Sequence, residues 1–212
     1  MTVELCCDGL EAARAAAAAG ADRIELCTNL ACGGLTPPHE VLDEAAALGV
    51  PVHVLIRPRE GDFVYNFSEI HQILFNIAYC GNSGMEGVVI GALTSDGMVD
   101  IPLCQDLIAL ARSYSLSVTF HRAIDRTKDI FKALEQVIEL GVDRVLTSGG
   151  AESALEGAAT IKKMIDLAAG SKTIIMAGAG ITATNVLNLI YRTGVTEIHG
   201  SKLELLRPGI LL

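Results

Sequence analysis

This 212-residue sequence contains no tryptophan, and aromatic residues of all kinds make up only 4% of it. Its core must be tiled from Ala, Val, Ile and Leu in close-packed layers rather than assembled on large rings. Long apolar runs are missing too: no stretch reaches the roughly 18 uninterrupted apolar residues of a membrane span. The N-terminus is neither basic nor followed by a cleavable apolar region, so it does not read as a signal peptide. Basic residues are in deficit, 16 against 25 acidic ones for a net charge of −9. With Lys162-Lys163 the only adjacent basic pair, no stripe exists to neutralise a phosphate backbone, and nucleic acid is excluded as a partner. The six cysteines show no CxxC spacing, which rules out a closed zinc ribbon but not a thiolate site assembled from distant strands. Without a signal sequence they are expected to be reduced thiols in the cytoplasm. One soluble domain spanning 1–212, long enough to bury roughly 70% of its unfolded surface, is the expectation.

What is present is regular punctuation. Strand-like runs recur at Val3–Cys7, Arg23–Cys27, Val52–Arg57, Gly87–Ala92, Ser117–Arg122, Arg144–Gly149, Thr173–Gly178 and Glu197–Ser201. Helical patterns lie between them. Asp8-Gly9-Leu10-Glu11 reads as a capping box, Thr36-Pro37 as an N-cap followed by Pro at the first helical position, and Asp100 and Thr182 as further caps. Gly20, Gly49, Gly81, Gly141, Gly170 and Gly194 each follow an apolar helical pattern and precede a strand. Such alternation predicts a parallel sheet. Eight βα units in this length fit an α/β fold of the (β/α)8 barrel type. An open doubly wound sheet fits less well, because the first loop lacks the GxGxxG of a dinucleotide-binding half. Gly20-Ala21-Asp22-Arg23-Ile24 resembles Gly141-Val142-Asp143-Arg144-Val145, at the four-unit offset that half-barrel duplication would leave, although two matches this short also arise by chance.

The last unit is short. After Glu197–Ser201 only Lys202–Leu212 remains, broken by Pro208-Gly209, so the closing helix is expected to be short or missing. The Leu-rich ending, including Ile210, Leu211 and Leu212, suits contact with a second copy in a homo-oligomer, or an altered terminus.

Strand side chains alternate between two faces. If Val3, Leu5, Ile24 and Leu26 face the helices, then Glu4, Cys6, Glu25 and Cys27 point into the barrel. The same rule sends His53, Leu55 and Arg57 inward from the third strand and Thr119 and His121 from the fifth. It sends Val145 and Thr147 inward from the sixth, and Glu197 and His199 from the eighth. Barrel interiors are usually Val, Ile and Leu, and buried charges demand partners. Arg57 pairing with Glu4 or Glu25 is one account; a site at one barrel end is the other. In the second account Arg57 and Arg59 grip an anion, Glu25 or Glu4 serves as base, and His121 as acid or base partner. Gly178, Gly180, Gly200 and Ser201 are candidates for an anion or phosphate cradle after the seventh and eighth strands, although glycines at tight turns have backbone reasons of their own. Cys6 and Cys27 fall on neighbouring strands with the same facing. Paired thiols suit Cu(I) and equally suit two small buried hydrophobes. Cys7, Cys80 and Cys104 read as core, and Cys32 as a loop residue.

Taken together, Glu4-Leu5-Cys6, Gly20–Cys27, Gly33-Gly34-Leu35-Thr36-Pro37, Ile56-Arg57-Pro58-Arg59 and Val118–Ala123 resemble the CutC family of copper homeostasis proteins. Arg144–Gly149, Ala154-Leu155-Glu156-Gly157 and Met176–Ile181 extend the resemblance up to about Ser201. It implies a TIM barrel, a cytoplasmic location and Cu(I) binding, with Cys6 and Cys27 at the positions implicated as ligands. Two functions follow: copper homeostasis through Cu(I) held by paired cysteines, or an enzyme acting on a small anionic or phosphorylated substrate.

Overall fold

A computed structural model describes residues 1–206. The chain begins with β1 (Thr2–Asp8), α1 (Leu10–Ala18), β2 (Arg23–Cys27), α2 (His39–Ala45), β3 (Val52–Leu55) and α3 (Phe67–Asn82). It continues with β4 (Gly87–Ile90), α4 (Ile101–Ser113), β5 (Ser117–Phe120), α5 (Ile130–Glu139) and β6 (Arg144–Thr147). Then come α6 (Ala158–Ala168), β7 (Ile174–Gly178), α7 (Val186–Thr193) and β8 (Glu197–Gly200). The eight parallel strands close into a barrel in sequence order, β1 pairing with both β2 and β8. This is the expected (β/α)8 fold. A 3₁₀ turn, Leu203–Leu206, follows β8. Pro208, Gly209 and the terminal Ile210, Leu211 and Leu212 lie outside the described residues. No described helix is long and apolar enough to cross a membrane.

One face of each strand meets the helices. Leu5, Ile24, Leu26, Val54, Val88 and Phe120 are all buried in the main apolar cluster, each such side chain contributing about 1.5–3 kcal/mol over its exposed state. On β6 the expected phase is inverted. Val145 belongs to that helix-facing cluster, and Thr147 sits beside Met164 of α6 and bonds Asp125, whereas Arg144 and Leu146 point inward. The apolar rule failed there because the inward face carries an arginine that finds a buried carboxylate.

Four end signals also resolve differently. Gly9, not Asp8, caps α1, and no side chain bonds there. The Asp8 carboxylate instead accepts from Asn29 N–H (2.9 Å) and Leu30 N–H (3.1 Å), tying the β2 loop to β1. Thr36 accepts the Arg57 N–H at 2.8 Å, and α2 starts only after Pro38. Thr182 donates its N–H to Asn185 Oδ1 at 2.9 Å, ahead of α7. Gly81 lies within α3, pressed so close to Tyr114 that a Cβ would sit 2.3 Å from its ring; Gly84, at φ +77°, makes the turn. Asp100 does cap α4, accepting from Leu103 N–H.

The repeat has a structural meaning and more copies than the sequence suggested. Gly20, Gly84, Gly141 and Gly194 all adopt positive φ before an even-numbered strand. Two residues on, Asp22, Glu86 and Asp143 accept the N–H of Val3, Val52 and Val118 at 2.8, 2.8 and 2.6 Å. Each thereby fastens its own strand to the start of the preceding one. The residue after that points into the barrel: Arg23, Gly87, Arg144 or Glu197. Together they form the lowest layer of the interior, four positions from alternate strands.

Candidate functional site

Arg23 is the centre of the buried charge. Its Nε donates to Glu4 Oε2 and its Nη2 to Glu197 Oε2, both at 2.5 Å. Arg144 Nε reaches the same Glu197 oxygen at 2.9 Å. Arg144 Nη1 donates to Ser117 Oγ, which bonds Asp143, and Asp143 pairs with the half-exposed Arg112. In the other direction Glu4 Oε1 meets His199 Nδ1 at 2.8 Å, and His199 Nδ1 lies 3.5 Å from Glu25 Oε2. A chain of polar contacts therefore crosses the barrel from its lower face to Glu25.

Glu25 stands at the floor of a cavity of about 330 Å³ at the C-terminal ends of the strands, the end where barrels carry their sites. Cys6, Arg57, His121, Gly180, Gly200 and Ser201 also line it. Other expected site residues lie elsewhere. Glu4 is fully buried one layer below. Arg59 is turned toward the start of α3, donating to Glu69 Oε1 (2.6 Å), Asp62 Oδ1 (2.8 Å) and Val64 O (2.8 Å). Gly178 serves packing: a Cβ there would lie 2.5 Å from Leu146. Arg57 pairs with neither Glu4 nor Glu25. Its guanidinium donates to the carbonyls of Cys32, Gly34 and Gly61 and lies 5.1 Å from the Phe63 ring centre.

Cys6 and Cys27 do come together, sulfur to sulfur at 3.6 Å. Cys6 Sγ lies 3.8 Å from Glu25 Oε1. Cys27 sits behind it, fully buried and also 3.4 Å from Cys7 O. The Gly34 backbone seals it, since a Cβ at Gly34 would come within 3.3 Å of the Cys27 Cβ. Cys6, Glu25 and His199 are the described residues that gather three metal-capable donor atoms within 4.8 Å of one another.

Electrostatics sorts these groups. Burial raises Glu25 to about 7, Glu4 adding to the shift and His199 opposing it. Burial would raise Glu4 as well, but the hydrogen bond and charge of His199, with Arg23, hold it at about 2. Burial, reinforced by Arg57, drives His121 down to about 3, and burial takes His53 to about 4. His199 is raised: burial works against it, but Glu25 and Glu4 outweigh burial. The hydrogen bond to Cys27, then burial and Glu25, push the Cys6 thiol well above its usual range. Three buried polar atoms of cavity-lining residues have no hydrogen-bond partner among the described residues: Glu25 Oε2, His121 Nε2 and Arg57 Nε. Sequence reasoning missed Arg23 and Arg144, although stepping back by two from Cys27 through Glu25 reaches Arg23.

A closed barrel of eight parallel strands, with a cavity over its C-terminal end, defines a TIM-barrel protein. The CutC family model matches residues 1–204. A CutC family protein of Aliivibrio fischeri (strain MJ11) is 43% identical over 216 residues, covering 98% of this chain and 87% of the relative. One from Vibrio vulnificus (strain YJ016) is 47% identical over 198 residues, covering 93% and 79%. The chain belongs to the CutC family. A solved structure of a candidate copper homeostasis protein CutC from Streptococcus agalactiae superposes with a TM-score of 0.89 at 33% identity, covering 96% of this chain and 99% of that one. A deoxyribose phosphate aldolase from Aeropyrum pernix, at 17% identity with a TM-score of 0.71 and coverage of 97% and 87%, shares the fold.

Proposed function

We propose that this CutC-family chain serves copper homeostasis by binding Cu(I) through Cys6 and Cys27. The observation that carries the reading is the 3.6 Å separation of the two sulfurs beside a carboxyl group. Two thiolates on one ion through bonds of about 2.3 Å stand roughly 3.8 Å apart at a tetrahedral angle and roughly 4.6 Å apart if the ion lies in line between them, so the 3.6 Å pair must open by about 1 Å or less. Sulfur donors match a soft monovalent ion. Both thiols must lose their protons on binding, and Glu25, next to Cys6, is placed to accept one. Six free cysteines suit a reducing compartment such as the cytoplasm. Competition for Cu(I) against a chromophoric chelator tests the reading. The Cys6→Ala, Cys27→Ala double variant is expected to lose affinity at least tenfold, and the wild-type affinity to rise from pH 6 to pH 8. An unchanged affinity in the double variant removes the thiolate site.

A second reading, an enzyme acting on a small anionic substrate, is favoured by the three unpartnered atoms around one cavity. Leaving such groups unmatched costs about 1–3 kcal/mol each, a cost that a ligand presenting complementary groups removes. Arg57 supplies positive charge, His121 a neutral donor and Glu25 a group that exchanges protons near neutral pH.

A further inference from the structure

We propose that the cavity receives a small phosphorylated compound with a second oxygen acceptor, a carboxylate or carbonyl, at its other end. The phosphate lies against the backbone after β7 and β8, and the second oxygen against His121. This deepens the second reading above and rests on it.

The phosphate end is built from main chain. Ala179 and Gly180 are consecutive left-handed residues, at φ +85° and +66°, and for alanine that conformation is strained. Their carbonyls are tied away from the cavity, Ala179 O accepting from Ala154 N–H (3.0 Å) and Gly180 O from Asn185 Nδ2 (2.8 Å). The N–H groups of Ala179, Gly180, Ile181 and Ser201 donate to no acceptor among the described residues, and all four residues line the cavity. Free N–H groups on successive residues of a tight turn are the kind of donors that anion-binding concavities use. Lys202 stands at the rim.

The opposite end rests on an independent observation. His121 is 5% exposed. Its Nδ1 accepts the Ala123 N–H at 3.2 Å, which places the ring proton on Nε2. The Nδ1–Cε1 edge is pressed against Gly91, where a Cβ would lie 2.5 Å from Cε1. Nε2 lies on the other side of the ring, is itself covered, and has no hydrogen-bond partner among the described residues, while the His121 side chain lines the cavity. Arg57 Nε is likewise unmatched. Leu55, Phe63 and Leu146 wall the space between the two ends, which suits a short carbon spacer better than a polyol. A volume of about 330 Å³ lies at the small end of ligand pockets.

Calorimetric titration of the full chain with 2-phosphoglycolate, malonate and inorganic phosphate tests the assignment. The expected result is binding of 2-phosphoglycolate at least tenfold tighter than either other probe. His121→Phe, which keeps a ring beside Phe63, should weaken 2-phosphoglycolate at least fivefold and leave inorganic phosphate unchanged. Lys202→Glu, at an exposed position that does not threaten folding, should weaken both phosphorus-containing probes. If malonate binds as tightly as 2-phosphoglycolate, the phosphate end is overturned while the anion site stands. If His121→Phe changes nothing, the assignment of the second oxygen is overturned. If no probe binds below 1 mM, this proposal and the second reading fall together.

Discussion

Burial favours the neutral form of every ionisable side chain, and at Glu25 and His121 it produces opposite results. The carboxyl rises to about 7 and exchanges its proton at neutral pH, while the imidazole falls to about 3 and stays a fixed neutral donor. Glu25 leaves a mark on stability. Its folded value lies above the unfolded carboxyl value of 4.5, so the folded state holds the extra proton between the two values. That contribution is full below about pH 4.5 and is lost as pH rises through about 7. Glu25→Gln should therefore gain stability relative to wild type between pH 5 and pH 8, by about 1–3 kcal/mol. Urea midpoints at the two pH values measure it, and a gap that shrinks with pH would contradict it. Arg23 is predicted to matter more for folding: Arg23→Met leaves Glu4 and Glu197 without their shared partner and should cost about 3–5 kcal/mol. Alternation alone placed Glu4, Cys6, Glu25 and Cys27 correctly on the inner face. It was silent on which charges pair, because Arg23 and Glu197 are 174 positions apart in the chain, and Arg57 turns its two Nη groups to loop carbonyls instead.

Elements are tied together here by side chains that cross from one strand's entry to the next strand's start. Asp22 and Asp143 each hold a neighbouring strand's first free N–H. Replacing either with alanine should cost about 1 kcal/mol or somewhat more, readable as a shift in the denaturant midpoint with no change in its slope. Gly87 is a different case, since a Cβ there would lie 2.6 Å from the His53 ring. Gly87→Ala should destabilise by about 1–3 kcal/mol through overpacking, and a variant as stable as wild type would mean that the His53 ring moves freely. The glycine punctuation and the alternating apolar runs made all eight strands readable in advance, because both follow from backbone geometry that the chain encodes locally. Caps were less readable. Asp8 and Thr36 have the right chemistry for a helix start, but both are drawn to N–H groups of other segments, Asn29 and Leu30 for one and Arg57 for the other. The box formed by Asn66 and Glu69 at the start of α3 does follow its N-x-x-E pattern, because both partners are local.

For the molecule as a whole, a ligand bound only by the folded barrel must stabilise it. Cu(I) at 100 times its dissociation constant should add about 2.7 kcal/mol, visible as a rise in thermal midpoint that vanishes in the Cys6→Ala, Cys27→Ala variant. A rise that persists in the double variant would place the metal on other donors, with Cys6's neighbours Glu25 and His199 the first to test. Barrel closure was legible from the rhythm of the chain. The cavity was not, since its walls come from loops after several strands and its depth is fixed by which side chains bend away, as Arg59 does toward α3. The entry motif before each even strand carries one further consequence. Four perfect copies would give a four-fold ring of like residues at the base of the barrel, and a ring of four arginines could not be folded around. The four copies keep the left-handed glycine and differ at the inward position. Two arginines, a glutamate and a glycine stand there instead, and Arg23 joins Glu197 within this layer to Glu4 in the layer above, so the base of the barrel holds balanced charge.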